Sequence, residues 1–378
     1  MDLNKIGLIT YHAAYNYGSV LQAFATRKAL QNTTDAKVDT LNYRLQEQSN
    51  FYALYRFKYG IKTTIKDLGQ IPIQSQRKRR AREFERFIKE RLGVTRRMTE
   101  PSEVAKMWGS YNTLVSGSDQ VWNKNSLELR HADWKYMDPY LLKGFPGRKI
   151  SYASSIGDMS DSDLSRIIPA VQEFEYVSMR EEASARTMGK LLGRPISAVI
   201  DPTFLLTKDE WVEKLELSIP SSDKYILYYS LSGVPPVLSD KKILLSLAKE
   251  RDCKVKVVTP FVYLLRGSVF ETCAGLSPEE FLQLILGADL VVTDSYHGTA
   301  LAVNFEKPFY CLCEHGGAEY RKTDLINRLG LNTRILFRQE MRENEPDISG
   351  NKVDFEEARS KLTNLRQKSY EYLRLAIR

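Results

Sequence analysis

An alternation constrains this chain more than any other feature. Along almost its whole length, short apolar runs end in polar turns and are separated by stretches of helical periodicity. "KIGLIT" comes first, followed by "SVLQAFATRKALQ", whose Val20, Leu21, Phe24 and Leu30 fall on one side of a helix. "YNTLVSGSD", "RKISYASSIG", "EYVSMREEAS" and "PISAVIDPTF" repeat the strand-to-turn pattern as far as Leu206. "KYILYYSLSG", "CKVKVVTP", "ADLVVTDSYHG" and "EKPFYCLC" repeat it again, with helices expected over 236–250 and 277–286. Strands alternating with helices in this manner predict an α/β fold built on parallel sheets.

Length sets the expected domain count, because 378 residues exceed one ordinary core. We expect a first domain over 1–206 with an insertion over about 43–100, a second over 207–353, and a closing helix over 354–378. Leu362, Leu365, Tyr372 and Leu373 form the apolar stripe expected of that helix. Within the insertion, 43–76 shows no clean period and reads equally as a lid or as ordinary packing.

Charged residues at 27% and hydrophobic ones at 43% are ordinary for a soluble globular chain. There is no run of about 18 apolar residues, and "MDLNKIGLITYH" lacks the zones of a signal peptide, so a cytoplasmic protein is expected. Cys253, Cys273, Cys311 and Cys313 include no CxxC pair and read as reduced structural residues, with no metal site.

The net charge of +8 is concentrated in "RKRRAREFERFIKERLGVTRR", 77–97. Glu83, Glu85 and Glu90 interrupt that run, and Phe84, Phe87, Ile88 and Leu92 fall at helical spacing. The first reading is a solvated helix with one apolar face. Attraction to the anionic inner face of the membrane or to an anionic substrate comes second. Nucleic acid is not expected as a partner, because no recognition module accompanies the charge.

In open parallel sheets the ligand sits beyond the carboxyl ends of the strands, so the turns hold the candidate site. "TYHAAYNYGS" offers His12, Asn16, Tyr17 and Gly18; "SGSDQVWN" offers Ser118, Asp119, Gln120 and Trp122; "SYASSIG" offers Ser154 and Ser155. "SMREE" offers Arg180 and Glu181, and "TDSYHGT" offers Ser295, Tyr296, His297, Gly298 and Thr299. The pattern lacks GxGxxG, which disfavours a dinucleotide site, and Asp161 and Asp163 begin a helical segment and read as caps rather than metal ligands.

In that order the turns resemble the polysaccharide pyruvyl transferase family. The matching pieces are "YNYGSVLQA", "SGSDQVWN", "SYASSIG", "SMREEAS", "DPTFLL", "TDSYHGTALAVNFEKPF" and "RKTDLINRLGL", spread over 15–331. The resemblance implies two Rossmann-like domains facing a cleft, as in glycosyltransferases of the B type, with the final helix crossing back to the first domain. It also implies transfer of a pyruvyl group from phosphoenolpyruvate to two hydroxyls of a nucleotide-linked or lipid-linked sugar, as a cyclic ketal, without a metal or organic cofactor. The same fold serves nucleotide-sugar glycosyltransferases, which is the alternative reading.

The chemistry gives the turn residues roles. Arg180, matching the strand-end Arg of the family, is suited to a carboxylate or phosphate by its planar fork, or else pairs with Glu181 at a helix start. His297 is a candidate general acid or phosphate neutraliser, helped by a helix opening at Gly298, or else a strand-end cap. Asp119 is a candidate base or hydroxyl acceptor, or else a turn residue. Where many family members carry Arg two residues before the histidine, this chain carries Ser295. A second anion partner is then sought at Arg321, Lys322 or the Gly298 helix start.

Overall fold

The computed structural model describes residues 5–56, 68–219, 223–232, 240–262, 268–314, 319–343 and 353–378. The rest of the 43–76 segment (57–67), the start of the helix expected from 236, and the stretch 344–352 lie outside them. The chain divides into two compact units. Unit 1 is Met1–Ala53, Glu85–Leu206 and Thr363–Arg378, and unit 2 is Leu54–Phe84 and Thr207–Leu362.

Unit 1 carries a parallel sheet of β1 (Lys5–Ile9), β2 (Lys37–Thr40), β3 (Thr113–Ser116) and β4 (Arg148–Ser151), in the order β2-β1-β3-β4. Parallel bridges Ile150↔Tyr176 and Ser154↔Met179 lead on to β5 (Ser178–Met179) and β6 (Ser197–Ala198). The strand order reverses between β1 and β3, where a crevice opens beyond the strand ends in doubly wound folds.

Helix Tyr17–Gln31 follows β1 and starts two residues earlier than its apolar stripe suggests, because Asn16 caps it by accepting from Gly18 N at 2.9 Å. It is buried nearly all round rather than on one side. Phe87 packs at a tilt against its Phe24, with centroids 5.9 Å apart, and the turn Pro202–Phe204 packs against it as well.

The basic run forms helix Gln74–Arg91, and its expected apolar stripe, Phe84, Phe87, Ile88 and Leu92, is fully buried. Each such side chain contributes about 1.5–3 kcal/mol of burial. The charged face is laced with ion pairs such as Arg86–Glu90, as a solvated helix face would be. Residues 54–84, expected inside the first domain, group instead with unit 2. Arg79 explains this in part: it donates to Gly275 O at 3.0 Å and pairs with Glu280 at 2.5 Å, contacts about 200 residues away that no local pattern announces.

Unit 2 holds a six-stranded parallel sheet ordered β12-β11-β10-β7-β8-β9. Its strands are β7 (Tyr225–Tyr229), β8 (Lys254–Val258), β9 (Glu271–Thr272), β10 (Leu290–Thr293), β11 (Phe309–Cys313) and β12 (Ile335–Phe337). The strands β7, β10 and β11 are buried at every residue, which is why they read as unbroken apolar runs. Here the order reverses between β7 and β10.

The closing helix runs over Glu356–Ile377. In unit 2 Arg359 grips Glu306 with two bonds of 2.7 and 2.8 Å. In unit 1 Ser369 accepts from Ile200 N at 3.0 Å and Tyr372 donates to Ser151 O at 2.7 Å. Leu362 and Leu373 are buried as the stripe predicts, while Leu365 and Tyr372 are half-buried. Among the described residues, no helix is long and apolar enough to cross a membrane.

Candidate active site

In unit 1 the strand ends gather carboxylates around one cation. Arg180 directly follows β5 and is 2% exposed. Its Nε donates to Glu181 at 2.9 Å, its Nη1 to Asp201 at 3.0 Å, and Asp119 stands 3.7 Å from the same nitrogen. Asp201 comes from the "DPTF" turn, where it also accepts from Thr203 N and Oγ1. Asp119 sits just beyond β3 with φ of 70°, a left-handed conformation that Asp tolerates better than most residues. Its side chain accepts from Gln120 N at 2.8 Å and from Ser19 Oγ at 3.3 Å.

The neighbouring serines serve the backbone. Ser118 Oγ donates to Ala153 O, Ser154 Oγ to Ser116 O, and Ser155 Oγ accepts from Gly157 N. Their bonds fix the ends of β3, β4 and β5 and so fix Asp119 and Arg180. Gln120 accepts from Asn123 Nδ2 at 2.6 Å, and Trp122 is part of the core. Asn16, Tyr17 and Gly18 build the start of the first helix, and Ser19 of the same turn is what reaches Asp119.

His12, offered by the same turn, is buried with its ring nitrogens 3.1 Å from Thr10 O and 3.1 Å from Asn42 Oδ1. Burial and the charge of Arg44 lower its pKa to about 4, so the ring is neutral at pH 7.

In unit 2 the turn between β10 and helix Tyr296–Asn304 carries the other group. Ser295 is the N-cap and accepts from Gly298 N at 3.3 Å. A Cβ at Gly298 would lie 2.6 Å from Thr293 Oγ1 and 2.8 Å from Tyr229, so only glycine fits against the end of the sheet. His297 is half-buried, edge-on to Tyr296 with centroids 5.2 Å apart, at the positive end of the helix. Thr299 is buried and bonds Ser295 O.

Asp294 accepts from Ser230 Oγ at 2.5 Å, Leu231 N at 2.8 Å and Arg338 Nη2 at 2.9 Å. Burial alone would raise its carboxyl, but these bonds, a fourth from Ser232 and the charge of Arg338 hold it below the usual carboxylate range. Arg338 also grips Asp240 at 2.8 Å. Lys322 is buried, donating to Asp294 O at 2.9 Å and Leu312 O at 2.7 Å and pairing with Glu319. Arg321 is half-buried at the start of helix Tyr320–Arg328.

The structure thus brings Asp119, Arg180, Glu181, Ser118, Gln120, Ser154 and Ser155 to one strand-end cluster, and Ser295 to Thr299 to another. The sequence reading missed Asp201 and Ser19 in the first, and Asp240, Asp294 and Arg338 in the second. "DPTF" and "TDSYH" were visible as motifs, but Arg338 reaches Asp240 over 98 residues, and no spacing rule covers such a pair. Among the described residues, no group of three His, Cys, Asp or Glu side chains is arranged to hold a metal.

The family model for polysaccharide pyruvyl transferase matches residues 16–312. The chain belongs to the polysaccharide pyruvyl transferase family. It is therefore a member of a family of transferase enzymes, and both clusters up to Cys311 lie in the matched region, with Lys322 and Arg338 beyond it. Among curated proteins, none matches the sequence.

Solved structures agree on the fold. S. aureus MnaA in its UDP co-structure matches at a TM-score of 0.52 with 11% identity, over 91% of this chain and 89% of that one. The UDP-GlcNAc 2-epimerase of Methanocaldococcus jannaschii matches at 0.51 with 11% identity, over 97% and 99%. The transferase thus shares its parallel α/β fold with these two proteins. A Thermobaculum terrenum O-GlcNAc transferase mutant matches at 0.46 with 11% identity, over 99% of this chain, which spans 63% of that protein's length.

Proposed function

We propose that this transferase moves a pyruvyl group from phosphoenolpyruvate to two hydroxyls of a sugar as a cyclic ketal, in assembly of a cell-surface polysaccharide at the cytoplasmic side. The observation that carries the reading is the family match over 16–312, which includes both strand-end clusters up to Cys311. The acceptor is a nucleotide-linked or lipid-linked sugar, and the basic helix Gln74–Arg91 favours approach to an anionic membrane face.

The reaction protonates the methylene carbon of the donor, the first hydroxyl attacks the resulting oxocarbenium-like centre, and the second displaces phosphate. His297 supplies the proton or neutralises the departing phosphate, with the start of helix Tyr296–Asn304 and Arg321 favouring the anion. Asp119 accepts the hydroxyl proton. Arg180 acts on Asp119 rather than on the donor directly: with Glu181 and Asp201 already at 2.9 and 3.0 Å, its charge holds the Asp119 carboxylate in place.

Ser295 favours a second reading, transfer from a nucleotide sugar. It stands where the family Arg would meet a donor phosphate, and the two buried cations beside Asp294 are engaged elsewhere: Lys322 with Asp294 O and Leu312 O, Arg338 with Asp240 and Asp294. Thermal melting separates the two readings, since a ligand selective for the native state raises stability by mass action. Phosphoenolpyruvate should raise the melting temperature where UDP-hexoses alone do not raise it further than UDP. The opposite ranking supports the glycosyltransferase.

A further inference from the structure

Unit 2 carries a surface that the strand-end clusters leave unused. The stretch 68–82, "LGQIPIQSQRKRRAR", holds five cations and no acid. Its helical part is clamped to the unit: Arg79 reaches Gly275 O and Glu280, and a Cβ at Gly275 would lie 2.8 Å from Gln76 O, so the two backbones meet directly. Lys78 and Arg82 are exposed on the side of helix Gln74–Arg91 away from the buried Phe84 and Phe87. The Arg82 side chain is 72% exposed although its Nε lies 3.6 Å from Glu83, and such a surface pair binds its charge weakly.

The same face continues into an apolar tip. Ile71, Ser75, Lys78 and Arg82 follow one another at helical spacing, and all four are exposed. Ile71 is 52% exposed and Leu68 48%, with Gly69 and Pro72 exposed beside them. Gln70 between them is buried, and its carbonyl accepts from Ile73 N at 3.1 Å, so a closed turn holds the tip outward. A single exposed apolar residue needs no explanation, but a leucine and an isoleucine held out together at the end of a basic face form a pattern. An anionic bilayer satisfies both halves of it, since headgroups meet the cations and the tip enters the boundary with the acyl chains. Nucleic acid would meet the cations through its phosphates but leave Leu68, Ile71 and Pro72 without a place.

We propose that the tip of Leu68, Ile71 and Pro72, together with the face of Lys78 and Arg82, docks on the anionic surface of a lipid bilayer. Charge attraction and a small apolar insertion are the two signals that a stable peripheral attachment needs. The assignment deepens the proposed transfer by choosing the lipid-linked acceptor over the nucleotide-linked one, and only that choice rests on the transfer reading.

The test uses vesicles of phosphatidylcholine, alone or with about one third phosphatidylglycerol, and reads co-sedimentation of the full chain without phosphoenolpyruvate or sugar. The wild type should bind the mixed vesicles and not the neutral ones, and less as salt rises. Lys78→Gln with Arg82→Gln should weaken binding about thirtyfold, near a factor of five per charge. Leu68→Ser with Ile71→Ser should weaken it about tenfold with every charge kept, a loss that adhesion by charge alone would not show. The four side chains are exposed, so melting temperatures should stay near that of the wild type. Should the apolar pair lower it, Ile71→Ser alone takes its place. Absence of binding to mixed vesicles, or wild-type binding by the apolar variant, overturns the docking surface. Tighter binding to a single-stranded DNA oligonucleotide than to the vesicles overturns it too, in favour of nucleic acid. Docking without turnover of phosphoenolpyruvate on any acceptor breaks the proposed function and leaves the surface standing, and turnover without docking does the reverse.

Discussion

The two units build their strand ends from the same kind of sheet and load them with different charge arrangements. In unit 1 a single buried cation, Arg180, stands among Asp119, Glu181 and Asp201, with Glu128 nearby. In unit 2 the buried Asp240 and Asp294 are answered by Arg338, Lys322 approaches from another side, and a helix presents its positive end at Ser295. On the proposed reading, unit 1 meets the hydroxyls that give up protons and unit 2 the phosphate that leaves. The lesson is that a parallel sheet fixes where a site lies, while the residues just past each strand decide its sign.

Removing the cation of the unit 1 cluster should have the largest effect. Arg180→Met leaves buried carboxylates without their partner and is expected to lower stability by roughly 3–5 kcal/mol in urea denaturation. Arg338→Met should cost less, because Tyr228 still donates to Asp240 at 2.7 Å and Ser230 and Leu231 still donate to Asp294. A larger loss in Arg338→Met would reverse the comparison.

Acidification should also strike unit 1. His12 is neutral when folded, with a pKa of about 4 against an ordinary 6.5. The unfolded chain binds the extra proton between those values, so the stability that His12 contributes is complete above pH 6.5 and is lost as pH falls toward 4. The gap corresponds to roughly 3 kcal/mol. Urea midpoints at pH 7 and pH 4.5 should therefore differ less in His12→Gln than in the wild type. An identical pH dependence in the two proteins would remove His12 from the account.

The third contrast separates chemistry from folding. His297→Asn should slow pyruvyl transfer about a hundredfold in steady-state assays. Because His297 is half-buried, its melting temperature should stay near that of the wild type. The smallest effect is expected at the cap: Ser295→Ala loses the bond from Gly298 N and should cost about 1 kcal/mol. No loss at all would mean that the helix start is held by other contacts.

Much of the fold was legible because its information is local. Fully buried strands such as β7, β10 and β11 show as apolar runs, Ser277 and Pro278 announce helix Pro278–Gly287, and the Phe84 to Leu92 stripe announces its buried face. The all-round burial of helix Tyr17–Gln31 was not legible, because it depends on Phe87 and on Pro202–Phe204, far along the chain. The turn motifs pointed to strand ends but not to partners. Asp201 meets Arg180 across 21 residues and Gln48 meets Glu128 across 80, distances at which only the fold decides who meets whom.

The most direct test of the central claim is phosphate release from phosphoenolpyruvate, followed with and without a panel of nucleotide-linked and lipid-linked sugars, with the sugar product examined by carbon NMR. Release is expected only with an acceptor, together with a ketal carbon in the product, and both are expected to be lost in His297→Asn and Asp119→Asn. Phosphoenolpyruvate left intact with every acceptor, while a nucleotide sugar is consumed, would contradict it.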